Sequence, residues 1–228
     1  MADYIRSNIL SQAYIHVEPQ KINNPEELNA FREKIISFTK SRSEFYLYPG
    51  VDVNVEFEDG SLKARITIAG VFVLLYKGIQ GYPDFREGVS LLYNDSKRLA
   101  EYIVSESQFL TGSRHNDVIR VESRTGILGS LHKITNALDS IIYGAEGGMT
   151  AKELAGRLED LKEDIDKIIN NIQSNDDKNL ILAELVKLAK EIPEKPKDPI
   201  PPKKKNGAIA LATYQDKRKA LYKTLGIV

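Results

Sequence analysis

The chain has 228 residues, 42% of them hydrophobic and 28% charged, and its 32 basic residues balance its 32 acidic ones. This composition is typical of a globular protein with one large domain or one domain and an appendage, and the balanced charge points to no class of partner. The chain contains no cysteine, which excludes disulfides, thiol catalysis and cysteine-ligated metal sites and is typical of the cytoplasm, the predicted location.

The sequence shows no segment suited to a membrane. Residues 1–4 lack the basic and apolar regions of a secretory signal, and the longest apolar run, which ends at Tyr76, is too short to cross a bilayer. We therefore expect no membrane partner.

The first clear element is a helix that begins near residue 25. Residues 3–18 fit either a short helix or a strand, but Asn24 is a good N-cap and Pro25 suits the first helical position. An apolar stripe at spacings of three and four follows, formed by Leu28, Phe31, Ile35 and Phe38.

The stretch from residue 51 to 76 predicts an antiparallel ribbon around which the first part of the chain packs. Asp59-Gly60 is a two-residue turn signal that places Val53 opposite Ile66 and turns the apolar side chains of both arms to one face. The run 71–76 is continuously apolar, which favours a strand covered on both faces, with residues 45–48 opposite it. We therefore expect a long, bent ribbon from about residue 45 to 76.

Two further helices and a strand are predicted after the ribbon. Asp84 begins a helix that Gly112 ends, with an alternative break at 94–96, and 118–122 is a short strand. A second amphipathic helix spans 127–141, and the glycines of 144–148 predict a flexible joint.

The segment 150–192 has the pattern of a helical pair. Thr150 and Glu153 form a capping box, and apolar residues then alternate at spacings of four and three, first to Ile172 and again from Ile181 to Ile192. The short polar connection between them predicts an antiparallel helical hairpin, a short coiled coil. Its seam packs within the chain or binds a partner, and both alternatives fit the pattern.

The C-terminal part begins as a linker. Five of the nine prolines lie between Pro193 and Pro202, which predicts a stiff, extended segment, and a proline-rich ligand for an SH3-like groove is the alternative. Beyond it, 209–211 fits a strand and Thr213 begins a short helix. This tail is expected to dock, completing a sheet of its own or of a neighbouring protomer.

These elements predict an α+β protein in four parts. A core domain (1–148) contains the antiparallel hairpin or small sheet covered by amphipathic helices. The helical hairpin (149–192), the Pro/Lys-rich linker (193–206) and a C-terminal docking tail (207–228) follow.

The predicted function is that of a non-enzymatic protein-interaction or assembly module that acts through the helical hairpin and the tail. Its partner is a second copy, giving a homo-oligomer, or another protein. No cofactor and no metal ion is expected, because no metal-ligand spacing occurs. The predicted partner-binding residues are Leu158, Ile165, Leu185, Leu221 and Leu225.

Two other functions are open. A nucleic-acid-binding arm would use basic residues of the tail, with Tyr214 and Tyr222 as stacking groups. Those basic residues are Lys203, Lys204, Lys205, Lys217, Arg218 and Lys219. An enzyme would have its site near His115 and Asp117, which lie in the one local cluster of a histidine with a carboxylate.

Overall fold

The computed structural model describes residues 3–19, 21–58, 62–78, 84–197 and 204–227, and within them the protein is α+β. The chain divides into two compact units, Met1–Gly129 and Ser130–Val228. The division lies near residue 130, inside the helix predicted over 127–141, whereas the sequence suggested a boundary at 148.

The first unit contains four strands and the helices that cover them. In chain order these are α1 (Asp3–Arg6), β1 (Ile9–Val17), α2 (Pro25–Tyr46), β2 (Asp52–Glu58), β3 (Leu62–Ala69), α3 (Phe72–Gly78), α4 (Phe85–Thr111) and β4 (Val118–Arg124). The sheet is antiparallel with the order β2-β3-β1-β4. With α2 and α4 as connections, this is the split βαβ arrangement.

The sheet has one buried face and one exposed face, because its side chains alternate. Ala13, Ile15, Ile66 and Ile68 are almost completely buried on the face that α2 and α4 cover. The opposite face carries charged and polar side chains, such as Arg65 opposite Glu56. The predicted α+β class, with an amphipathic sheet under helices, is confirmed.

The predicted helix ends are confirmed at α2 and α4. The side chain of Asn24 accepts a hydrogen bond from the amide of Glu27, 2.9 Å away, and Gly112 ends α4 in the left-handed conformation. The alternative break at 94–96 is wrong. Ser96 lies buried within one continuous α4, where its hydroxyl donates to the Leu10 carbonyl (2.9 Å) and its carbonyl accepts from the Ser11 hydroxyl (3.0 Å).

The predicted register of β2 and β3 is wrong by two residues. Val53 lies opposite Ile68 rather than Ile66, and Glu58 lies opposite Lys63, while Asp59-Gly60 falls outside the described residues. The faces are nevertheless as predicted, because a shift of two residues preserves the alternation of side chains. β3 also pairs with β1 along its other side, an arrangement that a prediction from the turn alone does not include.

The predicted strand over 71–76 and the long ribbon over 45–76 are also wrong. Residues 72–78 form α3, and α2 continues to Tyr46. A continuous apolar run does not distinguish a buried strand from a buried helix. As a helix, the run buries Phe72, Val73 and Leu75.

The second unit is helical. It comprises most of α5 (Gly126–Tyr143), a wide turn at Gly144–Gly148, α6 (Ala151–Asn171), α7 (Asn175–Ala189) and α8 (Lys204–Thr224). The Thr150–Glu153 capping box is present, and Ser174 caps α7. The close neighbour of α6 is α8, which the heptad pattern did not predict.

Two predictions for this unit need correction. The tail is one helix from Lys204, so neither a strand at 209–211 nor sheet completion by that strand occurs. The glycine turn lies inside the second unit, where Lys197 donates its amide to the Ala145 carbonyl (2.7 Å) and its ammonium to Glu146 (2.5 Å). These contacts hold the turn in place, so it is not the expected joint between the units.

Candidate interaction surface

β4 forms one edge of the sheet. From Arg120 to Arg124 its charged residues alternate with Val121 and Ser123, as a strand with two different faces requires, and a register shift at Ile119 interrupts the pairing with β1. It pairs with β1 on one side, and on the other side it pairs with no strand of the described ranges. Ile119 is 54% exposed and Val121 is 39% exposed. An edge strand with exposed apolar side chains presents unpaired backbone groups to which another chain can add.

At the opposite edge, β2, a side chain occupies one backbone carbonyl. Arg32 of α2 donates to the carbonyl of Val55 (3.3 Å), and its guanidinium lies 5.4 Å from the centre of the Phe57 ring. Covering an edge in this way is a common protection against pairing with other chains. The two edges of this sheet therefore differ in their accessibility.

A shallow groove runs between β4 and α4 on the helical side of the sheet. The Ser96 hydrogen bonds attach α4 to β1, so the buried face of α4 points to the centre of the sheet. Val121, Glu122 and Ser123 line the strand side of the groove, and Glu101, Val104 and Ser105 line the helix side. The inner face of β4 is thus incompletely covered.

The outer face of β4 carries an ordered group of charges. The guanidinium groups of Arg120 and Arg124 both donate to the carboxylate of Glu122, with 2.6 Å between the Arg124 nitrogen and the carboxylate oxygen. Hydrogen bonds from Arg120 and then Arg124 lower the pKa of Glu122 below its usual range. The Arg120 guanidinium also lies 5.8 Å from the centre of the Tyr14 ring. These contacts order the three charges along the strand.

His115 and Asp117 lie in the short 3₁₀ turn that leads into β4. The Asp117 carboxylate accepts a hydrogen bond from the amide of Arg114 (2.7 Å), and its carbonyl accepts one from the amide of Glu18 (2.8 Å). His115 is exposed. These contacts assign Asp117 a role in closing the turn. Within the described part of the chain, no group of three or more histidines, aspartates and glutamates is placed to hold a metal ion.

The five predicted partner-binding residues are brought together, but inside the second unit. All of them are buried there, at most 6% exposed: Leu158, Ile165, Leu185, Leu221 and Leu225. A partner would reach these side chains only if the helices separated. They form the core of the folded unit and not an exposed surface.

Arg218 of the predicted nucleic-acid arm and the two neighbouring tyrosines instead donate hydrogen bonds to carbonyls at the end of α7. Tyr214 donates to the Pro193 carbonyl (2.5 Å), Arg218 to the Ile192 carbonyl (3.1 Å) and Tyr222 to the Ala189 carbonyl (3.0 Å). These three residues are spaced four apart, so they share one face of α8. Tyr222 adds a second donor to the Ala189 carbonyl, which also accepts from the amide of Ile192, and Tyr214 and Arg218 supply donors to carbonyls just after the helix.

Burial accompanies these contacts. Tyr214 is fully buried, and burial raises the pKa of its hydroxyl to about 12, so the hydroxyl keeps its proton and its role as a donor. Both aromatic rings that were expected to stack on bases are therefore inside the protein.

The lysines of the predicted arm are distributed differently. The ammonium of Lys217 pairs with Glu159 of α6 at 2.5 Å, and Lys219 is exposed. Lys203 lies outside the described residues, and Lys204 and Lys205 form the first turn of α8. The contacts of Lys217 and Arg218 make the last helix an integral part of the second unit and not a free arm.

No signal in the sequence marks the edge of β4 as a site. The strand itself was predicted over 118–122, and its alternation of apolar and charged residues is visible in the sequence. Its position at the edge depends on which strands pair, which a single sequence does not reveal.

No helix in the described ranges combines the length and apolar character needed to span a bilayer. Comparisons of this chain with protein-family models, with curated proteins and with solved structures found no match.

Proposed function

We propose that this protein is a non-enzymatic interaction and assembly module that pairs with an extended segment of another chain along the edge of β4. The observation that carries the proposal is the contrast between the two sheet edges. At β2 Arg32 occupies the Val55 carbonyl, whereas β4 presents exposed Ile119 and Val121 beside an open groove. Strand addition of this kind combines main-chain hydrogen bonds with contacts of alternate side chains.

The surface differs from the helical seam that the sequence suggested. The seam side chains are buried in the second unit, so the exposed apolar residues of β4 are better placed to meet a partner. The edge charges support recognition as well, because opposite charges on neighbouring strands attract and like charges repel. Specificity would come from Arg120, Glu122 and Arg124.

Site-specific photocrosslinking tests the proposal. The full chain, expressed in its cell of origin, carries a photoreactive benzophenone amino acid in place of Ile119. A discrete cross-linked product is expected, and Val121→Lys in the same chain should remove it, because a lysine on the inner face of an edge strand opposes pairing.

A matched control uses the other exposed isoleucine. The photoreactive residue in place of Ile209, which is 62% exposed on α8, should give no product that depends on Val121. Absence of a product from position 119, or a product that Val121→Lys leaves unchanged, would show that the β4 edge is not the interaction surface.

A further inference from the structure

β4 complements itself when two copies run antiparallel. The strand has seven residues, Val118–Arg124, and pairs regularly with β1 from Arg120 to Arg124, so a two-fold axis at Val121 pairs the central residues 120–122 with those of the copy. Arg120 then faces Glu122 of the second copy, and Glu122 faces Arg120. We propose that the occupant of the β4 edge is β4 of a second copy of this chain, an inference that rests on the proposed function.

The charges select this register. In a continuous sheet the helices of both copies lie on the same side only if residues of the same face are opposite each other. The register of the two β4 strands can therefore change only in steps of two residues. A shift of two in one direction places Arg120 against Arg120, and in the other direction Glu122 against Glu122. Of these three registers, the two-fold at Val121 is therefore the one in which Arg120 and Glu122 meet as opposite charges.

Glu122 has the capacity for the additional contact. In its own chain it already accepts hydrogen bonds from Arg120 and Arg124. A carboxylate offers about four acceptor positions, so a donor from the second copy can be added without displacing these two. The same two arginines therefore orient Glu122 for a contact with Arg120 of the second copy.

The same two-fold arrangement also buries apolar side chains on the helical side of the sheet. Val121 meets Val121 of the second copy, and both side chains are 39% exposed in the single chain. The two grooves beside Val104 become continuous across the axis, so apolar surface on the helical side is removed from water. The backbone groups on the open side of β4 gain partners as well.

The same operation at the other edge is unfavourable. A two-fold at Val55, the centre of β2, would place Asp52 against Glu58 of the copy, an acid against an acid. Arg32 in addition occupies the Val55 carbonyl. Self-pairing is therefore specific to β4, and it closes as a symmetric dimer with one continuous eight-stranded sheet.

A charge exchange tests this inference on the purified full chain. Light scattering of the unmodified protein is expected to give twice the chain mass of 25.6 kDa. Arg120→Glu and Glu122→Arg should each raise the dissociation constant at least about tenfold, because two symmetry-related pairs change from attraction to repulsion.

Mixing the two variants gives the decisive result. In a mixed pair the new glutamate of one variant faces the new arginine of the other, and Glu122 of the first faces Arg120 of the second. An equimolar mixture should therefore recover the dimer mass that neither variant shows alone. Glu56→Arg, a charge reversal on β2, is the matched control and should leave the dimer intact, and thermal melting verifies that each variant is folded.

The outcomes separate this inference from the proposed function. If the native chain is monomeric, or if the mixture stays monomeric while the native chain dimerises, the second copy is not paired in this way. If the product from position 119 depends on Val121 but contains a different protein, strand addition stands and self-pairing is wrong. If no product depends on Val121, both are wrong.

Discussion

At the scale of single residues, the hydroxyl of Tyr222 joins two helices. It donates to the Ala189 carbonyl (3.0 Å) and accepts from Arg218 (2.6 Å) in a buried position. Tyr222→Phe should lower the free energy of unfolding by about 1–2 kcal/mol, because a buried carbonyl and a guanidinium lose a partner. Denaturant unfolding measures this change. Tyr143→Phe, at a side chain that is 75% exposed, is the control, and an equal effect of both would contradict the assigned role.

The charge of Glu122 gives a second prediction at this scale. Hydrogen bonds from Arg120 and Arg124 favour its ionised form, so its pKa should lie below that of an ordinary glutamate. Because the folded value is lowered, the stabilisation is present above the ordinary glutamate pKa and is lost as pH falls through the folded value. Carboxyl chemical shifts measured by NMR give the midpoint. Arg120→Gln should raise this midpoint, and a midpoint in the native chain that is not below that of an exposed, unpaired glutamate would refute the arrangement.

At the scale of elements, α8 completes the second unit. It packs along α6, and Tyr214, Arg218 and Tyr222 supply donors to the last carbonyls of α7 and to those just after it. Deletion of residues 204–228 should therefore increase amide hydrogen exchange throughout 151–192, because one face of α6 becomes exposed and the end of α7 loses its donors.

The control for this deletion is a substitution that removes a single side-chain contact of the same helix. Lys217→Ala removes a surface ion pair with Glu159, and such pairs contribute about 0–1 kcal/mol, so exchange in 151–192 should change little. Unchanged protection of α6 and α7 after the deletion would mean that α8 is dispensable for the helical unit.

At the scale of the whole molecule, stability and association are assigned to different units. Leu158→Ala opens a cavity in the core of the second unit and should cost about 2–5 kcal/mol, measured by hydrogen exchange of α6 to α8. The dimer mass should persist in this variant, because β4 belongs to the first unit. Val121→Lys should have the opposite effects, namely loss of the dimer with little change in stability, because Val121 is already 39% exposed.

This pair of variants also tests the interface suggested by the heptad pattern. If Leu158→Ala abolished association in a folded chain while Val121→Lys preserved it, the helical seam would be the interface and the β4 edge would not. Light scattering and thermal melting of both variants, at the same chain concentration, give the answer.

Much of the architecture follows from local signals. Asn24 begins α2 because its side chain accepts a hydrogen bond from an amide of the first turn, and Gly112 ends α4 because its backbone adopts the left-handed conformation. The structure has both ends where the sequence predicts them. The buried seam of α6 and the alternating faces of β2 and β3 are equally local, since each follows from a period of 3.5 or 2 residues. The strand that became the candidate site was also predicted, although not as a site.

What depended on the tertiary structure was the choice of neighbours. The register of β2 and β3 differs by two residues from the one that the turn predicted, the run 72–78 became a helix, and α8 rather than α7 became the close neighbour of α6. The sequence alone determines which face of an element is apolar, because that information lies within a few residues. Which faces meet, and which strand is left at the edge of the sheet, is decided by the packing of segments far apart in the chain.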